Sequence, residues 1–351
     1  MNAETPAVRR GHGLRSKVLI GVAFASLAVL VSLSLKSLSF EILGAFKPAF
    51  LGLIALGLAL LVALDALSTM VFTWASGVAL PLPVALKGAC LRVFVNTVTP
   101  FGIGGHPFVI GYFKRKGVPA GVGSSTTAIK LMMVSALVLV GGCVGFFLLP
   151  EGRQLNQGVR TVFGASIALQ ATLIFLLLFL MTRPQSAVGA LTRLVALFRR
   201  TKLSAGVGKL KTQVIHEAWL TRRCFAAYFR RGKLLLALGL LIHAGMYATE
   251  LLMLWLVFLG LGQTIPLATC LALASLTLLL LSFMPTPGGS GLGESAFVVL
   301  FAGIAPLGIL GLAVVLWRLF YTYLIALVGL LLSSANPQRH GGRRAVARMP
   351  T

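Results

Sequence analysis

The apolar run from Ile265 to Leu332 is broken once, by Met284-Pro285-Thr286-Pro287-Gly288-Gly289-Ser290-Gly291-Leu292-Gly293-Glu294. A run of that length belongs in lipid, where backbone polar groups must be satisfied within the protein and only helices and closed barrels span. The prolines donate no backbone hydrogen bond and the glycines hold helix poorly, so the chain leaves helix here. Irregular backbone at that depth is tolerated only inside protein or along a wet cavity. Glu294 follows at once, where a charge is costly and by default functional. A second interruption of the same kind lies upstream, at Asn96-Thr97-Val98-Thr99-Pro100-Phe101-Gly102-Ile103-Gly104-Gly105-His106-Pro107. Two such breaks in the two halves of a membrane protein point to a substrate site between them.

Composition agrees with a chain that lives in lipid. Only 11% of the 351 residues are charged, against about a quarter in soluble domains. The net charge of +24 comes from 31 Lys and Arg against 7 acids. Those basic residues cluster between apolar spans, as the positive-inside rule and anionic lipid both require. No aromatic-basic or recognition-helix pattern accompanies them, so nucleic acid is not expected as a partner. Cys90, Cys143, Cys224 and Cys270 stand far apart with no metal-ligand spacing and are expected to be packed thiols.

Taken in order, the chain predicts a basic cytoplasmic N-terminus at 1–17 and a polytopic membrane domain at 18–332. A basic cytoplasmic tail follows at 333–351. Spans are expected at Val18–Leu35, Pro48–Trp74, Val122–Leu149, Val159–Met181, Leu234–Leu259 and Pro266–Met284, with a long final span ending at Leu332. Val84–Lys116 has basic residues at both ends and a break in its middle, which predicts a re-entrant helical hairpin. Residues 183–233 hold twelve Lys and Arg around two amphipathic patterns, Val188 to Phe198 and Val207 to Phe225. These predict two helices on the cytoplasmic membrane surface, touching anionic head groups. A helix from Gly293 to Ile304 covers about 18 Å of a hydrocarbon core of about 30 Å, and the extended stretch before it can cover the rest. The basic tail then stays inside, which gives eight crossings, one of them a broken helix, with both termini cytoplasmic.

Five charges fall within these segments: Asp65, Lys130, Glu250, Glu294 and Arg318. Mutual pairing is the plain reading. The sharper one is that Lys130 and Arg318, near half-helix N-termini with free N–H groups, hold a phosphate. His106, beside Gly104-Gly105, reads equally as a donor toward a phosphate or lipid hydroxyl and as a plain packed histidine. His243, Tyr247 and Glu250 share one helical face, read as interhelical hydrogen bonding in preference to a proton path. The chain has no GxxxxGK[ST], HExxH or GxSxG pattern, so no nucleotide or other cofactor is expected.

At these motifs the sequence resembles the flippase-like transmembrane domain of lysylphosphatidylglycerol synthases and its stand-alone relatives. The resemblance rests on Asn96-x-x-Thr99-Pro100-Phe101-x-x-Gly104-Gly105-x-Pro107 followed by Lys114-Arg115-Lys116-Gly117. It rests equally on Pro285-Thr286-Pro287-Gly288-Gly289-Ser290-Gly291-x-x-Glu294 and Trp317-Arg318-Leu319-x-Tyr321. It implies an all-α integral membrane protein of about eight transmembrane helices in two pseudo-symmetric halves. It also implies movement of a polar-headed lipid between leaflets of a bacterial inner membrane. By matched position, Asn96, Gly104, Gly105, Lys130, Glu294 and Arg318 would line the head-group pathway; Thr99, Pro100, His106, Pro287, Gly288 and Gly289 complete the expected site. His106 stands where many relatives carry Gln or Glu, a departure that bears on head-group preference. With no soluble synthase domain following by Thr351, aminoacyl transfer to lipid is not the expected activity. Two rivals remain: a membrane enzyme acting on a polyprenyl phosphate, and a non-transporting anchor for a lipid-biosynthesis partner.

Overall fold

The computed structural model describes residues 49–99, 102–149, 157–183, 207–282 and 291–334, together with 284, 286 and 289. The expected first span at 18–35, the amphipathic stretch at 188–198 and both termini lie outside these residues, as do Pro100, Pro287 and Gly288. The described chain is helical. Its elements are α1 (Ala49–Ala75), α2 (Leu82–Val98), α3 (Gly105–Arg115), α4 (Ala120–Phe147), α5 (Gln157–Thr182) and α6 (Val207–Arg230). They continue with α7 (Lys233–Gly260), α8 (Leu267–Leu281), α9 (Leu292–Phe301), α10 (Leu307–Arg318), a π-helical turn at Leu319–Tyr323 and α11 (Leu324–Ser334). Pro81, Pro119, Pro266 and Pro306 stand directly before α2, α4, α8 and α10, where a residue without an N–H costs the helix nothing.

Among the described residues, five stretches are long and apolar enough to cross a membrane: α1, α4, α5, α7 and the continuous run from α10 through α11. The protein is a multi-pass α-helical membrane protein. Within the described residues, the expected span Pro266–Met284 and the broken helix after it contain shorter helices. At 1.5 Å per residue, α8 covers about 22 Å and α9 about 15 Å, each short of a core of about 30 Å. These two helices pair with one another. Phe297 and Phe301 of α9 stack on Phe258, two residues from the end of α7, so α9 runs back toward the end from which α8 started. The turn between them lies against Arg318, near the middle of the α10–α11 run.

The packing repeats itself. α1 lies along α7, α2 on α11, and α8 on α4, while α2/α3 and α8/α9 form two helical hairpins. A two-fold relation taking α1, α2/α3 and α4 into α7, α8/α9 and α10–α11 generates each of these pairings from another. Glycine permits the closest approaches at equivalent places. A Cβ on Gly145 of α4 would lie 2.6 Å from the Ala272 carbonyl of α8, and one on Gly329 of α11 would lie 2.4 Å from that of Cys90 on α2. The core gathers under α7 and α8, with Phe258, Phe297, Phe301 and Trp317 stacked within it.

The second expected amphipathic segment forms α6, which docks on the bundle. Over its second half the helix is covered by protein: Thr221, Cys224, Phe225 and Tyr228 are buried, and α6 packs mainly on α4. Tyr228 shares its hydroxyl with Ser76, Ser125 and Thr126 at 2.9, 3.1 and 3.2 Å. The Glu217 carboxylate accepts the Gly121 N–H in the first turn of α4 at 2.5 Å, an end-cap supplied from another helix. The helical period in the sequence marks an apolar stripe; it does not say whether lipid or protein will cover it. All four cysteines are free thiols.

Candidate functional site

Two adjoining cavities of about 330 Å³ each lie between the halves. They share a wall that includes Asp65, Arg92, Asn96, Gly102, Met246 and Ser282. The first extends to Glu250, Gly289, Arg318 and Tyr321, the second to His106, Lys130, Gln170 and His243. Both interruptions of the sequence therefore face this space.

Asp65 of α1 organises the shared wall. It is 4% exposed, and its Oδ1 meets Lys130 Nζ at 2.8 Å and Arg92 Nη2 at 3.3 Å. Lys130 also donates to the Asp65 carbonyl at 2.9 Å and to Thr69 Oγ1 at 2.5 Å. An ammonium has three protons, and all three of these are used within the protein. Arg92 is different. Its Nε is buried with no hydrogen-bond partner among the described residues, its side chain is 23% exposed, and it borders both cavities. Two cations against one carboxylate leave the second cavity with one net positive charge.

Arg318 holds the second interruption in place. Its Nε lies 3.3 Å from Glu294 Oε1, and its Nη2 donates to the Gly289 carbonyl at 3.2 Å. Glu294 Oε2 in turn accepts the Gly291 N–H, closing the turn that opens α9. Gly289 and Gly291 have φ of 72° and 85°, values that favour glycine. The π-helical turn directly after Arg318 carries Tyr321, whose hydroxyl is hydrogen-bonded to Glu250 of α7. π-Turns of this kind are frequent at functional sites.

The first interruption closes on itself. Asn96 Oδ1 accepts the Gly105 N–H at 2.7 Å, and Thr99 Oγ1 accepts the Gly104 N–H at 3.1 Å. The His106 N–H reaches Ile103 O, and Pro107 has no N–H to offer. A Cβ on Gly105 would stand 2.2 Å from the Arg92 carbonyl and 2.4 Å from Asn96 Oδ1, so only glycine fits. These contacts account for the Asn-x-x-Thr-Pro…Gly-Gly spacing. They also correct an expectation: the start of α3 presents no free N–H groups to a phosphate, because Asn96 and Thr99 already cap it.

Of the sequence candidates, Asn96, His106, Lys130, Gly289 and Arg318 line the cavities, and Glu294 stands behind Arg318. Gly104, Gly105 and Thr99 build the wall. Lys130 and Arg318 do not meet across one cavity; each borders a different one, and Arg92 connects them. The stripe of His243, Tyr247 and Glu250 divides among different neighbours. His243 Nδ1–H donates to Gly239 O at 2.7 Å, which leaves Nε2 to accept from Ser68 at 3.4 Å. Tyr247 lies against Gly141 of α4, and Glu250 reaches Tyr321. Arg92 does not stand out in the sequence, because it lies among the basic residues around the first interruption. The spacing Arg92-x-x-x-Asn96, one helical turn before the break, was the available signal.

A family model described as the lysylphosphatidylglycerol synthase TM region matches residues 18–329. The chain belongs to this family. No curated protein and no solved structure matches it. Membership carries a membrane, lipid-related role and agrees with the two interruptions and the helical bundle around them.

Proposed function

We propose that this family member moves a polar-headed, anionic lipid between the leaflets of a bacterial inner membrane, without a nucleotide. The observation that supports this most is Arg92: a partly exposed guanidinium with an unused buried donor, on the wall shared by two polar cavities inside a membrane bundle. In this reading Arg92 takes the lipid phosphate, since a guanidinium offers a planar fork of donors to its oxygens. Asp65 and the saturated Lys130 hold Arg92 in place. Glu250, Tyr321 and Arg318 form the opposite wall, where the head group is received or released, and the acyl chains stay in lipid. The cytoplasmic ends and the inner-membrane location belong to the same proposal.

The short α8 and α9 suggest a topology to go with it. With α2/α3 entering from the cytoplasm and α8/α9 from the opposite side, the first span and the five long helices make six full crossings. The basic tail then ends on the same side as the basic N-terminus, as the charge bias asks.

The test is leaflet exchange of fluorescent phosphatidylglycerol in proteoliposomes, read by quenching of the outer leaflet. Wild-type protein should expose the inner pool and Arg92→Gln should not. Equal rates with and without protein would sink the transport reading.

A further inference from the structure

The two-fold relation between the halves sets Glu250 of α7 where Asp65 stands on α1, and Arg318 of α10 where Lys130 stands on α4. The first half pairs its two charges at 2.8 Å. The second half does not. Arg318 turns to Glu294 and to the Gly289 carbonyl, at 3.3 and 3.2 Å. Glu250 is left half-buried on the wall of the first cavity, in no ion pair among the described residues, with the Tyr321 hydroxyl as its hydrogen-bond partner. Carboxylates inside membrane bundles recur in proton relays, and one that no cation holds is the freest to change its charge. Around it stand Asp65 of α1 and Arg92 of α2, then Arg318 of α10 with Glu294 of α9 behind it, and Lys130 of α4 beyond Asp65. From α8 the wall receives the Ser282 hydroxyl and no charge. The other titratable groups nearby are neutral: His243 and Tyr247 on α7 itself, Tyr321 and Tyr323 on the π-helical turn, Cys90 on α2 and His106 on α3. Three cations therefore meet three carboxylates, and the space between the halves is neutral when Glu250 is ionised.

We propose that Glu250 carries one proton with each anionic lipid, so that lipid and proton cross as a neutral pair and a proton gradient can drive the exchange. The proposal rests on the lipid reading of the site and specifies its coupling ion. A lipid phosphate at Arg92 adds one negative charge to a space already balanced. An uncompensated charge is costly in a low-dielectric interior, and a proton on Glu250 restores neutrality. Asp65 and Glu294 do not serve in its place, since each is held by a cation at 2.8–3.3 Å. A zwitterionic head group brings its own ammonium, adds no net charge and calls for no proton.

Full-length protein in detergent is titrated with anionic dioctanoyl phosphatidylglycerol and with zwitterionic dioctanoyl phosphatidylethanolamine between about pH 5 and 8. A ligand whose binding takes up one proton binds more tightly as pH falls, by at most about tenfold per pH unit. The anionic lipid should gain about three- to tenfold per pH unit across part of this range, and the zwitterionic lipid nothing. An indicator dye in weak buffer should report proton uptake with the first lipid alone. Glu250→Gln, uncharged at every pH, should bind the anionic lipid throughout with the affinity that wild type reaches at low pH. Tyr321→Phe should displace the slope along the pH axis, and His106→Gln should leave it in place. In proteoliposomes a pH gradient should enrich fluorescent phosphatidylglycerol in the leaflet facing the alkaline side, faster than in protein-free vesicles. A pH-independent affinity, equal slopes for the two lipids, a slope kept in Glu250→Gln or lost in His106→Gln, or no enrichment would overturn the proposal. The wild-type comparison of the two lipids, with the profile of Tyr321→Phe, decides the matter if Glu250→Gln does not fold. Binding and exchange of the anionic lipid without a pH slope would remove the proton alone; no lipid binding at any pH would remove the lipid reading with it.

Discussion

The two cations on Asp65 should respond to mutation in opposite ways. Lys130 spends all three protons on Asp65 and Thr69 at 2.5–2.9 Å, with its side chain 12% exposed. Lys130→Met removes those contacts and leaves Asp65, 4% exposed, with only the looser Arg92 contact at 3.3 Å. Breaking a buried pair from one side costs about 3–5 kcal/mol, most of it the penalty on the charge left behind. Arg92→Gln leaves Asp65 its 2.8 Å partner and removes a longer contact from a side chain 23% exposed. The expected cost is about 1 kcal/mol. Thermal unfolding in detergent should therefore show a large loss for Lys130→Met and a small one for Arg92→Gln, while leaflet exchange fails in Arg92→Gln despite its stability. Adding Asp65→Asn to Lys130→Met should recover most of the lost stability, since no buried carboxylate is then stranded. A Lys130→Met protein as stable as wild type, or an Arg92→Gln protein that moves lipid at the wild-type rate, would refute this division of roles.

Other consequences are independent of that pair. Gly105→Ala would push a methyl into the Arg92 carbonyl and the Asn96 amide, and should cost about 1–3 kcal/mol; Asn96→Ala, which only removes the cap, should cost about 1 kcal/mol in the same unfolding assay. Glu294→Gln and Arg318→Gln should each destabilise, and the double variant should be more stable than either single one; if each is silent, the pair at 3.3 Å does not anchor the second interruption. Tyr228→Phe should lower stability by about 1–2 kcal/mol, because three hydroxyls lose a common partner; an unchanged melting temperature would mean that α6 is not docked through it. A reporter after Thr351 should read cytoplasmic and one between residues 150 and 156 external; an external tail would reject the six-crossing topology.

The sequence by itself determined the solvent and the places where helix fails. Long apolar runs with at most one or two charges read as helices in lipid, and Pro-Gly clusters interrupt them. Those local rules placed α1, α4, α5, α7 and the last span within a few residues. They also located both interruptions and the charges beside them, and the motifs carried the family. What covers a helix face, and which charge meets which, depends on elements far apart in the chain. Three partnerships show it: the α6 stripe covered by α4, Lys130 satisfied by Asp65 rather than by a ligand, and Arg318 given to Gly289 and Glu294. A periodic pattern fixes a side chain's direction on its own helix and nothing about the neighbour across from it. Only the tertiary packing set Arg92 and Glu250 on one cavity, the first with a donor unspent and the second without an ion pair among the described residues, because a group's partners are decided only once every element around it has been placed.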